Sequence, residues 1–228
     1  MTITSTTLFR AAAVAAALAG LIFIGVQINH PYLDATSIKT SDAITRDSLK
    51  MLMAALALAG ITGIYLRQVT KIGLLGLLGF VLFAAGYLSM FGTEFVAALV
   101  LPSIADSAHT YTNDVIAVAN NRPASGGIGL MQTAILFTGI TYIAGGFIFA
   151  IALFRANVLA RWASVLLALG TLATIAVGLV PQYERLFALP TGLALVALGY
   201  SLWRVQRVPA TTSSLIPVSS QLDAVGAK

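Results

Sequence analysis

The chain has 228 residues, of which 58% are hydrophobic and 9% are charged. A soluble domain carries about 25% charged residues, so these charges are too few to coat a water-soluble globule of this size. The formal net charge is +5, but eight of the thirteen Lys and Arg fall where the positive-inside rule would place them, which argues against a nucleic-acid partner. The chain contains no cysteine, which excludes disulfides and Cys-ligated metals.

Apolar runs along the chain reach the roughly 17–25 residues that cross a lipid bilayer as a helix. The sequence therefore predicts an all-α polytopic membrane protein, a bundle of six transmembrane helices in a lipid bilayer. We expect residues 1–204 to form this bundle and residues 205–228 to be a disordered cytoplasmic tail. The predicted spans are residues 8–28, 49–66, 72–101, 130–154, 158–180 and 186–203.

Within the first span, Arg10 is followed by an Ala-rich stretch that resembles a secretory signal. The residues that follow offer no Ala-x-Ala cleavage site, so we interpret it as a retained helix that Pro31 ends. Residues 32–48 are predicted to be a polar loop. Residues 106–129 are predicted to be a longer polar connection. Two apolar patches in this region, Phe95 to Ile104 and Val115 to Ala119, are predicted to lie as short helices either on the protein or in the membrane interface.

The third span contains a single acidic or basic residue, Glu94. At 1.5 Å per residue, a helix from Ile72 to Pro102 would measure roughly 45 Å, against a hydrocarbon core of about 30 Å. Its far end must project beyond the lipid or the helix must break. We expect the break at Gly92–Thr93, beside Glu94.

The distribution of Lys and Arg predicts that both termini are cytoplasmic, because the short connections are basic and the long loops then lie outside. Placed inside are Arg10, Arg67, Lys71, Arg155, Arg161, Arg204, Arg207 and Lys228. Placed outside are Lys39, Arg46, Lys50, Arg122 and Arg185. This topology implies a plasma-membrane protein.

Polar side chains near the lipid gather at the outer boundary in this topology. They are Gln27, Asn29, His30, Glu94, Asp106, His109, Asp114, Gln182 and Glu184. An ionisable residue in a span is a functional hypothesis by default. We therefore predict an outward-facing pocket lined by Gln27, His30, Tyr87 and Glu94 that binds or moves a small lipophilic or cationic molecule without catalysis. Helical spacing places Tyr87 and Glu94 on one inward face with Gly76, Phe83 and Met90.

Other interpretations of these residues stay open. Glu94 can form a structural bond to Gln27, Asn29 or His30, and His30 can satisfy the last carbonyls of the first helix. A membrane enzyme would need an external metal site made of His30, His109, Glu94 and Asp106. A third possibility is a scaffold or accessory subunit whose small-residue faces bind a homo-oligomeric or other membrane partner. No cofactor is predicted, since neither histidine lies mid-helix as haem ligation would favour.

Glycines and small residues recur on several spans, including Gly79, Gly86 and Gly145–Gly146. In membranes such residues let helix backbones approach closely, so we assign them to packing. Residues 125–129, Ser-Gly-Gly-Ile-Gly, precede the fourth span. They predict either a flexible hinge or an anion cradle at a helix N-terminus.

Two short motifs carry a family resemblance. The run from Val26 to Pro31 closes the first helix with Gln-x-x-His-Pro, and an acidic residue, Glu94, precedes Leu101–Pro102. In these features the first half of the chain resembles small six-helix integral membrane proteins of high-GC bacteria. The resemblance implies a membrane bundle and no particular activity.

Overall fold

A computed structural model describes residues 4–176, 186 and 188–206, and within these residues the regular structure is helical. The predicted turn residues Gln182 and Glu184 and most of the predicted tail lie outside the described residues. The α-helices, in chain order, are α1 Ser5–Gly25, α2 Ser41–Arg67, α3 Val69–Phe95, α4 Leu101–Ile104, α5 His109–Ala119, α6 Leu130–Ala156, α7 Arg161–Ala176 and α8 Ala188–Val205.

Five segments of the described chain are long and apolar enough to cross a membrane. They are α1, α2, the continuous run Val69–Ile104, α6 and α8. The described part of α7 is apolar but shorter, and residues 177–180 of the predicted fifth span lie outside the description. The apolar helices indicate a membrane-embedded protein, as the sequence predicted.

Six of these helices pack as a closed ring. In the described chain, α1 packs on α2, α2 on α3, α3 on α6, α6 on α7, α7 on α8, and α8 returns to α1. The C-terminal ends of α1 and α3 lie beside the N-terminal ends of α2, α6 and α8, so neighbours in the ring run antiparallel and the helix ends meet in two layers. The core between them contains Phe83, Phe149, Leu167 and Leu195, none of which is exposed.

The second helix begins earlier than predicted, and the predicted loop 32–48 is wrong over residues 41–48. A short 3₁₀ turn, Ser37–Lys39, precedes α2, and the Thr40 side chain caps α2 by accepting from the backbone N–H of Ala43. Asp42 and Arg46 form an ion pair at 2.8 Å, one helical turn apart. Opposite charges four residues apart stabilise a helix, which explains why this polar segment belongs to α2.

The first helix ends earlier than predicted, at Gly25, and residues 26–29 form a turn. Asn29 adopts a left-handed conformation with φ of 51°, which asparagine tolerates better than most residues. The Arg46 guanidinium donates to the carbonyl oxygens of Val26, at 3.2 Å, and Ile28, at 2.8 Å. Arg46 therefore holds the end of α1 against the start of α2.

The third span does not break at Gly92–Thr93, and that prediction is wrong. The helix stays regular to Phe95 and then widens into a π-helical turn, Val96–Val100, where the N–H of Leu101 donates to the carbonyl of Val96. Pro102 explains the position, because it has no N–H and its ring clashes with the carbonyl four residues earlier. A second kink lies at Gly73, whose φ is 64°.

Glycines bring α3 and α6 into backbone contact. A Cβ added at Gly145 would lie 2.2 Å from the backbone nitrogen of Phe83, and one at Gly79 would lie 2.4 Å from that of Phe149. Gly86 faces the backbone of Tyr142 at 2.8 Å in the same way. These contacts support the packing role that the sequence assigned to small residues.

We predict that Gly145→Ala destabilises the protein by about 1–3 kcal/mol, because the added methyl forces the α3 and α6 backbones apart. The matched control is Gly139→Ala on the same helix, where a Cβ meets nothing within 4 Å. Thermal unfolding in detergent measures both variants. Equal stability of the two would contradict the close-packing assignment.

Candidate functional site

A cavity of about 430 Å³ opens at one end of the helix ring. Residues from the C-terminal ends of α1 and α3, the N-terminal ends of α2, α6 and α8, and Thr174 near the described end of α7 line it. Three of the four predicted ligand-binding residues are among the lining residues, namely Gln27, His30 and Glu94. Its volume lies within the range of about 300–1,000 Å³ that small-molecule sites occupy.

Tyr87, the fourth predicted binding residue, does not line the cavity. It is fully buried and packs between Phe83, at a ring-centroid distance of 4.8 Å, and Tyr142, at 5.7 Å. Tyr142, on α6, and Tyr32, in the segment after α1, are the tyrosines that line the cavity. Gly76, Phe83 and Tyr87 are all buried, as the predicted inward face of α3 requires, but Tyr87 lies one layer below the site.

Three charged side chains form a cluster on the cavity wall. The Lys50 Nζ lies 2.8 Å from Asp47 Oδ1 and 4.0 Å from Glu94 Oε2. Asp47 is only 2% exposed and is held closely by Lys50, whereas the Glu94 contact is longer than a hydrogen bond. Two carboxylates therefore share one ammonium group, and the cluster has a formal charge of −1.

The sequence interpretation did not include Asp47 and Lys50 in the site. Lys50 was counted with the outer loop charges and Asp47 with the polar loop. The i, i+3 spacing of an acid and a base at the start of an apolar segment was the available signal. This spacing indicates an ion pair only when residues 41–48 are assigned to α2.

Glu94 and His30 make contacts that the sequence did not suggest. Glu94 pairs with Lys50 at 4.0 Å. Arg46 donates to carbonyl groups at the end of the first helix, and the Nδ1 of His30 donates to the carbonyl oxygen of Pro31 at 2.8 Å. The structural roles predicted for Glu94 and His30 stay predictions.

The residues of the metal hypothesis are split between two places. His30 and Glu94 line the cavity, whereas Asp106 pairs with Lys39 at 2.6 Å and His109 lies 3.3 Å from the amide nitrogen of Asn113. Over residues 4–176, 186 and 188–206, no group of three or more His, Asp or Glu side chains is arranged to hold a metal ion.

Residues 101–129, which we call the cover, lie over this end of the ring. Its apolar side packs in a small hydrophobic cluster of Ala35, Ile38, Leu101, Ala105, Val115, Ile116 and Ile128. The Asn113 side chain accepts from the backbone N–H of Ala35 at 2.8 Å. Ile116, Ala119, Asn120 and Asn121 of the cover reach the cavity.

The segment predicted to bind an anion, residues 125–129, binds the carboxylate of Asp114 in the same chain. The Asp114 carboxylate accepts from the backbone N–H of Ser125, at 2.7 Å, from that of Gly126, at 2.9 Å, and from the Ser125 hydroxyl. The Ser125 N–H does most to hold the pKa of Asp114 below its usual range, against a smaller opposing effect of desolvation. This clamp ties α5 to the segment that leads into α6.

The wall of the cavity combines apolar and hydrogen-bonding groups. Thr138 on α6 hydrogen-bonds Ser89 on α3 at 2.6 Å, and Thr93 bonds the carbonyl of Met90 one turn back. Apolar side chains from the ring and the cover, including Phe23, Met131 and Ile135, fill much of the remaining surface. Such a wall can hold an apolar body and orient one charged group.

No family model, no curated protein and no solved structure matches this chain. The resemblance of its two short motifs to bacterial membrane proteins therefore stays a prediction. The properties of the site follow from its own geometry.

We predict that Asp114→Asn loosens the cover, because the neutral amide is a weaker acceptor for the Ser125 and Gly126 N–H groups. Amide hydrogen exchange at residues 125 and 126 should rise, while exchange within α3 and α6 should not change. Asp106→Asn, which removes an exposed carboxylate of the same cover, is the control.

Acid should have the same effect on the wild-type clamp. Because the pKa of Asp114 is lower in the folded protein than in the unfolded chain, its stabilisation is complete above the unfolded value of about 3.9 and is lost as the pH falls through the folded value. Exchange corrected for its intrinsic pH dependence should therefore be constant near neutrality. A rise already between pH 7 and pH 5 would show that another group controls the cover.

Proposed function

We propose that this chain is a non-enzymatic plasma-membrane protein that binds a small lipophilic cation in an outward-facing pocket, for transport across the membrane. The observation that carries the proposal is the cavity where Gln27, His30 and Glu94 meet. Within it, Glu94 makes a long contact to a Lys50 that Asp47 already holds.

The charge of the cluster supports a cationic ligand. One ammonium group serves two carboxylates, so a second cation beside Glu94 would neutralise the cluster. Glu94 shares Lys50 with Asp47, so a ligand amine or quaternary ammonium would give Glu94 a second, closer partner and offset the cost of removing its charge from water. The many apolar lining residues support a ligand with a hydrophobic body.

The layer below the cavity supports an outward-facing state. Phe83, Tyr87, Tyr142 and Phe149 pack against one another with tilted or edge-on rings and are at most 4% exposed. Such an aromatic layer blocks passage from the cavity toward the opposite end of the ring. A ligand would therefore enter and leave from the side of the cover.

Charge asymmetry supports six spans with both termini in the cytoplasm. In the described chain, every Asp and Glu lies at the cavity end: Asp34, Asp42, Asp47, Glu94, Asp106 and Asp114. The opposite end has basic residues and no acidic residue among those described: Arg10, Arg67, Lys71, Arg155, Arg161 and Arg204. Basic ends of spans tend to face the cytoplasm, and this tendency supports a cavity on the outer side.

We predict that Glu94→Gln abolishes stabilisation by a lipophilic amine while the fold is retained. Octylamine is the probe and 1-octanol the neutral comparison, both added to protein in lipid nanodiscs. Octylamine should raise the Tm of the wild type more than octanol does, and Glu94→Gln should weaken its binding at least tenfold, about 1.4 kcal/mol.

The matched control is Asp106→Asn, which removes a carboxylate outside the cavity and should bind octylamine as the wild type does. If Glu94→Gln prevents accumulation of folded protein, Glu94 has an architectural role. If octylamine and octanol act alike on the wild type, the cationic pocket is wrong.

The topology has its own test, which the absence of cysteine makes simple. We predict that Gly127→Cys in the cover reacts with a membrane-impermeant maleimide on intact cells, because the cover lies outside. Thr70→Cys, at an exposed position in the first turn of α3, should react only after lysis. The reverse pattern would invert the orientation and make the cavity cytoplasmic.

A further inference from the structure

A second cavity of about 430 Å³ lies on the outside of the ring, toward the end opposite the first. It is a groove between α1, α2 and α8. Arg10 and Thr7 lie at one end of it, and the rest of its lining is apolar. None of its lining residues belongs to the candidate functional site.

The shape of the groove follows from residue size along α1. Ala11 and Ala15, one helical turn apart, form a floor that lets a guest approach the helix backbone. Val14 and Leu18, which are 46% and 44% exposed, form one wall. Leu56 lines it from α2 and Trp203 from α8.

The length of the groove matches one leaflet of a bilayer. Thr7 and Leu18 are eleven residues apart, which is about 16 Å along a helix at 1.5 Å per residue. Half of a hydrocarbon core of about 30 Å is a similar distance. An acyl chain lying in the groove would therefore run from the interface toward the middle of the membrane.

The polar end of the groove is cationic. Arg10 is exposed, and its guanidinium lies 5.6 Å from the centroid of the Trp203 ring. No carboxylate of the described chain pairs with it, since the acidic residues there all lie at the other end. A guanidinium matches the geometry of a phosphate, and tryptophan is favoured at the membrane interface.

We propose that this groove binds one anionic phospholipid, with the lipid phosphate on Arg10 and Thr7 and an acyl chain along Ala11, Ala15 and Leu56. Charge complementarity selects the anionic lipid. The groove end has no described acid to pair with the ammonium of a zwitterionic headgroup, and the surrounding basic residues favour net negative charge. This site is independent of the proposed cation pocket.

Native mass spectrometry of the full chain released from detergent tests the headgroup. Phosphatidylglycerol and phosphatidylcholine with identical acyl chains are the probes. The wild type should retain one phosphatidylglycerol at least tenfold more than phosphatidylcholine. Arg10→Gln should reduce this preference several-fold, whereas Arg155→Gln, an exposed arginine at the same end but outside the groove, should not.

A second variant tests the acyl chain. Ala11→Leu fills the groove at an exposed position and leaves Arg10 in place, so it should reduce lipid retention without lowering the Tm measured in detergent. Glycerol 3-phosphate should not displace the lipid, because it lacks the chain that the groove holds.

Four results would overturn the proposal. They are equal retention of the two lipids by the wild type, equal effects of Arg10→Gln and Arg155→Gln, displacement of the lipid by glycerol 3-phosphate, and a dimer peak that Ala11→Leu abolishes. The third would identify a simple phosphate site. The last would show that a second copy of the chain covers the groove.

Discussion

The backbone contact between α3 and α6 is the constraint on which the rest of the structure depends. It joins the first three helices of the ring to the last three, and it exists only because Gly79, Gly86 and Gly145 have no side chain. The contact sets Tyr142 against Tyr87 and brings together the ends of both helices that line the cavity. The cavity, the aromatic layer beneath it and the position of Glu94 all follow from that approach.

The basic side chains have different partners at the two ends of the bundle. At the cavity end, Lys39, Arg46 and Lys50 each pair with a carboxylate, so their positive charges are compensated locally. At the other end the described arginines and lysines have no acidic neighbours, and Arg10, Arg161 and Arg204 lie over aromatic rings, with Arg161 at 3.8 Å from the centroid of the Phe154 ring. One end is thus suited to an internal polar site and the other to contact with anionic lipid.

The sequence could predict the helical class, the membrane environment and most helix positions, because apolar runs of sufficient length leave few alternatives. It also gave three residues of the candidate site. The predicted helix boundaries failed at the start of α2, where polar residues belong to the helix. The predicted break in the third span failed because Pro102 disturbs the hydrogen bonds of the turn before it, Val96–Val100. Both errors arise because local hydrogen bonds decide these boundaries, and the hydropathy of a segment does not indicate them.

What the sequence determined by itself is a membrane-embedded helical chain with an isolated acid, Glu94, and histidine and glutamine at one boundary. Only the tertiary structure decided that Lys50 and Asp47 share that acid's site and that Tyr142 replaces Tyr87 on the cavity wall. It also decided that Asp114 occupies the predicted anion cradle. The physical reason is that hydropathy and the helical periodicity of apolar residues are properties of one segment. A pocket is made by side chains from several helices, and the rotation of each helix and its distance from its neighbours depend on packing.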